Sequence, residues 1–260
     1  MSALLPAIRS GLLARINPVT KLGCALLVAF TLLATVDWVS AVVAVVLESA
    51  VLAFTGLPWR RVLPRLMPLI VAALLAGVTT TLYGVPSGRV WWQWGVVEVT
   101  DGSIGFAIAT ALRILAIGVP SVVLFLTIDP TELADGLAQI VRLPARFVIG
   151  ALAALRLVGL FFDDWRALSL ARRARGVADR GRLQRYAGVV FALLVLAIRR
   201  GTKLTTAMES RGFGAAGPRS WARPATLGRA DAVAFAIGFA IAATAVAVSV
   251  STGSWHWIAS

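Results

Sequence analysis

Histidine, cysteine and asparagine each occur once in this 260-residue chain and lysine only twice, so most side chains from which active sites are built are missing. His256 stands near the C-terminus without companion ligands, so neither a zinc site nor a histidine base is expected. Cys24 lies alone in an apolar run, which excludes a disulfide within the chain and reads as a structural thiol. No Gly-x-x-x-x-Gly-Lys-Ser/Thr is present, so any ATP must be bound by another protein. Asp and Glu together number 12, with no acidic metal motif, which argues against an integral membrane transferase. No catalytic residue, cofactor or metal is therefore assigned to the chain itself. The N-terminus has no compact cleavage pattern and is expected to be retained.

What is present is oil and arginine. The chain is 59% apolar and 14% charged, with mean hydropathy +0.86; ordinary soluble domains are about 45–50% apolar and about 25% charged. These values describe a polytopic membrane protein. The net charge is +13, and 23 of the 25 basic residues are arginine, Lys21 and Lys203 being the exceptions. Bases clustered beside apolar spans mark a cytoplasmic membrane face rather than a nucleic-acid site.

A helical span needs roughly 17–25 mostly apolar residues. Five candidates fall at about 21–36, 39–55, 66–82, 104–128 and 231–251, the first two joined by a tight tip at Asp37 and Trp38. The apolar stretch 187–198 is too short to cross. Leu4, Leu5, Ile8, Leu12 and Leu13 suggest a short helix at the interface. Arg9, Arg15 and Lys21 before the first span and Arg60, Arg61 and Arg65 after the second fix the cytoplasmic side. The loop with Arg89, Glu98, Asp101 and the cluster Trp91, Trp92, Trp94 falls outside. Residues 142–229 carry 16 arginines and one lysine and should be cytoplasmic. Five crossings leave the N-terminus inside and the C-terminus, with Trp255 and Trp257, outside.

The interval 129–229 opens on Asp129 as N-cap, Pro130 at the first helical position and Glu132 at the third, which predicts a short helix to about Val141. After Pro144, the apolar residues Phe147, Ala151, Leu155, Val158, Phe162 and Trp165 recur at helical spacing. From about Arg182, Leu183, Tyr186, Val190, Leu194, Ile198, Thr202 and Thr205 do the same. Each long helix ends on an arginine and a glycine: Ala174, Arg175, Gly176 and Ser210, Arg211, Gly212. Glycine here is a helix stop, because it takes a left-handed conformation without steric cost. A guanidinium placed there can also make paired hydrogen bonds to a partner's carboxylate or carbonyls.

The stretches "ARRARG", "AMESRGFG", "INPVTKLG" and "TIDPTELADGLAQIVRLP" together resemble the transmembrane T component of energy-coupling factor (ECF) importers, the family that includes the cobalt and biotin T subunits. The resemblance implies an all-α polytopic membrane protein with about five transmembrane helices and a cytoplasmic coupling domain of one short and two long amphipathic helices. Its implied parts are a four-span membrane domain over 1–128, a coupling domain over 129–229 and a final helix with an external C-terminus over 230–260. It further implies a place in the bacterial cytoplasmic membrane and three partners besides lipid: two ATP-binding cassette ATPases and a substrate-binding S component for a vitamin or transition metal. Ala174, Arg175 and Gly176 match the first docking motif and Arg211 and Gly212 the second, where Ser210 replaces the usual alanine. Met208 and Glu209 match residues that precede the second motif, and Asn17, Pro18, Thr20 and Lys21 the entry to the first span.

Other features have simpler readings. "GFGAAG" at 212–217 follows a helix and meets Pro218, so it is a loop and not a dinucleotide fingerprint. Glu48 and Arg113 are charges inside spans at similar depth, expected as a buried pair or as a contact with the S component. Asp163 and Asp164 point about 100° apart on a helix and are expected to pair with surface bases. Pro68 and Pro120 could break helices as in a self-sufficient permease, but no internal repeat supports that alternative.

Overall fold

The computed structural model describes residues 12–35, 37–57, 59–84, 87–94, 97–176, 182–215 and 220–255. Leu4, Leu5, Ile8, Arg9, Pro218, His256 and Trp257 lie outside them. After a single 3-10 turn at Leu12–Arg15 come α1 (Pro18–Leu33), α2 (Trp38–Phe54), α3 (Trp59–Tyr83), β1 (Val90–Trp94), β2 (Val97–Thr100), α4 (Asp101–Thr127), α5 (Pro130–Gln139), α6 (Ala145–Ala174), α7 (Arg182–Glu209) and α8 (Arg229–Ser251).

Contacts divide the chain into two compact units. In one, α1, α2, α3, α4 and α8 pack through small residues, with Ala44, Ala116, Ala242 and Ala245 buried beside Val28, Leu32 and Ile241. Small residues let helix backbones approach closely where lipid supplies no hydrophobic drive between helices. Gly238 is one such position, since a Cβ there would stand 3.1 Å from that of Cys24. A second cluster joins Leu52, Leu57, Val62, Leu66, Val123 and Leu126. Outward residues such as Phe30, Met67, Leu74, Phe235 and Phe239 remain exposed, as surfaces that face lipid should.

Caps fix the helix starts. Asn17 Oδ1 accepts from Val19 N at 3.0 Å, Asp37 Oδ2 from Ser40 N at 2.6 Å and Asp129 Oδ1 from Thr131 N at 2.8 Å. The read start at Asp129 and Pro130 is thus found, with the helix ending two residues earlier than expected.

The structure adds detail to several expectations. The loop between α3 and α4 contains an antiparallel hairpin, Trp92 opposite Val99 and Gln93 opposite Glu98, so the all-α class holds apart from two strands among the described residues. The β-branched and aromatic residues Val90, Trp91, Trp92, Trp94, Val97 and Val99 suit a pleated surface. Pro64, Pro68 and Pro120 lie inside continuous helices; membrane helices tolerate proline where neighbouring groups satisfy the freed carbonyl. Among the described residues, four helical segments are long and apolar enough to cross a membrane, Val62–Tyr83, Asp101–Thr127, Ala145–Ala174 and Arg229–Ser251, and Pro18–Leu33 and Trp38–Phe54 are shorter apolar helices. The helix α6 was expected to be amphipathic round its circumference. Instead it divides along its length, with only Arg146 and Arg156 charged over 145–162, and Asp163, Asp164, Arg166, Arg172 and Arg173 crowded into the last turns.

Candidate functional site at two arginine caps

The second compact unit, residues 134–225, holds α6, α7 and both Arg-Gly turns. At the end of α7, Gly212 N donates to Glu209 O at 2.9 Å and Phe213 N to Met208 O at 2.9 Å. This pair of bonds is the Schellman motif, which satisfies two orphan carbonyls and requires a left-handed residue between them. Gly212 has φ +77°. At the end of α6, Gly176 N donates to Arg173 O at 3.0 Å, and Gly176 has φ +66°. Arg175 and Arg211 therefore hold the same position, the last residue before a left-handed glycine. Both side chains are exposed, and no atom lies within 4 Å of where a Cβ would stand on either glycine. Ala174 and Ser210 are exposed as well, and the Ser210 hydroxyl turns back to donate to Ala207 O at 3.0 Å. The serine thus spends its polar group on its own helix, leaving a surface nearly as bare as alanine's.

Three contacts set how far apart these tips stand. Arg172 Nη2 donates to Gly188 O at 2.7 Å, Asp164 forms an ion pair with Arg200 at 2.5 Å, and Trp165 stacks on Tyr186 with ring centroids 6.5 Å apart. A Cβ on Gly188 would lie 2.9 Å from Arg172, so glycine is what admits the guanidinium. Arg175 lies one turn beyond Arg172. Arg211 is 23 residues past Gly188, which at 1.5 Å per residue is roughly 35 Å along α7. The stripe Tyr186, Val190, Leu194 and Ile198 on α7 stays exposed, an apolar face of the kind that marks a protein or membrane contact.

Asp164 does pair with a base, as expected, but across to α7 and not along its own helix. Helical spacing reveals neighbours only on one helix, so this partner had no signal in sequence. Nor had the closing contact of the unit, in which Gln139 donates to Arg223 O at 2.9 Å and accepts from Ala225 N at 2.8 Å. "GFGAAG" begins as a turn after α7, with Gly214 also left-handed at φ +89°.

Glu48 and Arg113 do not meet. Arg113 donates instead to Thr35 O, beside the buried cluster in which the Ser40 hydroxyl donates to Asp37 Oδ1 at 2.8 Å and lies 3.1 Å from Thr35 Oγ1. Equal depth on paper did not become contact, because Arg113 spends its length reaching the α1–α2 tip. Burial alone would raise the Asp37 carboxyl, but the two hydrogen bonds from Ser40, with the Ser249 and Thr35 hydroxyls nearby, outweigh it and hold the group below the usual carboxylate range. Glu48 is 6% exposed and neither carboxyl oxygen has a hydrogen-bond partner among the described residues. It faces a cleft that also touches α1, α4 and α8.

Residues 9–220 match the family described as cobalt transport protein, CbiQ. The chain is 30% identical over 162 residues to the energy-coupling factor transporter transmembrane protein EcfT of Limosilactobacillus fermentum, covering 58% of this chain and 61% of that one. It is 27% identical over 239 residues to EcfT of Leuconostoc gelidum subsp. gasicomitatum, covering 86% and 89%. With EcfT of Ruminiclostridium cellulolyticum it shares 27% over 169 residues, 60% and 62%. The chain thus spans about three fifths of the length of the first and third of these relatives.

Proposed function

Because the chain belongs to the family of transmembrane T components of ECF transporters, a membrane component of a transporter and not an enzyme, we propose that it is the subunit that couples ATP hydrolysis by two cytoplasmic ATP-binding cassette ATPases to movement of a substrate-binding S component. Arg175 with Gly176 engages one ATPase, and Arg211 with Gly212 the other. The imported substrate is a vitamin or a transition metal; cobalt is the one named for the matching family. The protein spans the bacterial cytoplasmic membrane several times, N-terminus inside and C-terminus outside, with residues 1–128 and 230–260 in the membrane domain and 129–229 as the coupling domain. In this reading α6 and α7 lie along the inner face, their exposed apolar residues against lipid and the S component.

The observation that carries the proposal is a pair of exposed arginines, each standing before a left-handed glycine at the end of a long helix. One cap is an ordinary helix stop. Two in one compact unit suit two copies of a similar socket. A charged hydrogen bond contributes about 1.5–3 kcal/mol net, comparable to the roughly 1–3 kcal/mol typical of coupling between sites.

Affinity purification of the tagged chain from its native membrane tests this. Two ATPase subunits and a small membrane protein should accompany it, and Arg175→Ala with Arg211→Ala should shed the ATPases while the chain stays inserted at normal abundance. A chain that purifies alone and still supports uptake would be a self-sufficient permease, and the proposal would be wrong.

A further inference from the structure

A cleft of about 620 Å³ runs between α1, α2, α4 and α8 and the turn before α1. That volume lies within the roughly 300–1,000 Å³ usual for small-molecule sites. Its walls are aliphatic: Val28, Val51, Leu52, Val123, Val233 and Ile237. Its polar lining is gathered at the two ends. Arg15, Lys21 and Arg229 stand at one end, where α1 and α8 begin and α4 finishes. Glu48, buried and unpartnered, stands at the other, seven residues or about 10 Å along α2 from Thr55. Along α8 the lining extends from Arg229 to Ile241, roughly 18 Å.

The basic end is fixed in place. Asp231 Oδ1 accepts from Asn17 N at 2.6 Å and its Oδ2 from Gly228 N at 2.7 Å, so this carboxylate is taken up by backbone and joins the starts of α1 and α8. Lys21 Nζ donates to Thr127 O at 3.4 Å, tying in the end of α4; Glu132 and Asp231 both lie near Lys21, which leaves Arg15 and Arg229 as the uncompensated bases of the mouth among the described residues. Arg15 and Arg229 are exposed at the same end.

An apolar channel of that length with a cationic mouth matches an amphiphile with a negative head. We propose that the cleft binds one anionic phospholipid, an acyl chain lying along α8 and the phosphate among Arg15, Lys21 and Arg229. Basic pockets between transmembrane helices on the cytoplasmic side hold anionic headgroups in this way. Charge selects the head, and the aliphatic walls retain the chain. Glu48 lies too deep to meet the phosphate, so it does not oppose it. The proposal needs only the membrane location and stands or falls apart from the ATPase reading.

The test is native mass spectrometry of the full-length chain, delipidated in detergent and then given phosphatidylglycerol or phosphatidylcholine with the same acyl chains. The wild type should retain one phosphatidylglycerol about thirtyfold more strongly than phosphatidylcholine, as expected for two exposed bases near an anionic group. Arg15→Gln with Arg229→Gln, both on the surface and safe for folding, should bring the ratio to within about threefold. Ile237→Trp, which fills the channel, should remove retention of both lipids while glycerol phosphate added in excess displaces neither from the wild type. Equal retention of the two lipids by the wild type, unchanged retention in Ile237→Trp, or displacement by glycerol phosphate would each overturn the proposal.

Discussion

Arg175 and Arg211 are the same residue twice over: each closes a long helix, each precedes a glycine at φ +66° or +77°, and each is exposed. Their equivalence lies in backbone geometry and not in sequence alone, since Ala174 precedes one and Ser210 the other.

Equivalent caps predict equivalent single losses. Arg175→Ala and Arg211→Ala should each weaken ATPase binding to the purified chain by roughly 10- to 150-fold, the loss of one charged hydrogen bond. Loss from the double variant should exceed either. Titration with the purified ATPases checks this; a single variant that binds like the wild type removes that arginine from the interface.

The glycines predict opposite signs at two positions on one helix. Gly212→Ala forces a side chain into the left-handed region, at a cost of about 1–2 kcal/mol. Gly201 lies inside α7 with nothing within 4 Å of a would-be Cβ, so Gly201→Ala should stabilise by about 0.5–1 kcal/mol. Thermal melting in detergent should move Tm down for the first and up for the second.

What sequence revealed and what it hid follow from range. The glycine stops, the Asp129 cap and the helix periods are local, and Gly176, Gly212 and Pro130 occupy the expected positions. The Asp164–Arg200 pair, the Arg172–Gly188 contact and the turn of Arg113 towards Thr35 join separate elements, and no spacing rule reaches them. Charge on α6 varies along its length, whereas helical spacing reports only which residues share a side of the helix.

Glu48 predicts a gain on removal. A buried carboxyl without a partner costs more than an apolar group of like size. Glu48→Leu should raise stability by about 1–3 kcal/mol, read as a higher Tm, whereas Glu48→Gln leaves an unsatisfied amide and should gain little. A lower Tm for the leucine variant would mean that the carboxyl has a structural partner after all.

Asp37 predicts an acid limit. Its folded carboxyl titrates below the unfolded value of about 3.9, so folding is favoured by its ionisation. The sign follows: this contribution is present above the unfolded value and is lost as pH falls through the lower folded one. Melting temperatures should therefore drop below about pH 4, and Asp37→Asn, which still caps α2, should flatten that drop. An unchanged slope would assign the acid loss to other carboxylates.

Asp164 and Arg200 predict a rescue. They join α6 to α7 with side chains 17% and 37% exposed, so the pair is partly screened and a coupling of roughly 1 kcal/mol is expected. Its larger consequence is geometric, because this contact and the Arg172–Gly188 bond set the distance between the two arginine tips. Asp164→Arg places two guanidinium groups together and should both lower Tm and reduce retention of the ATPases, although neither residue is at a tip. Asp164→Arg combined with Arg200→Asp restores opposite charges across the same gap. If the ion pair acts by holding the helices in register, the double variant recovers Tm and ATPase retention together; recovery of Tm without retention would mean that one of these side chains touches the partner directly.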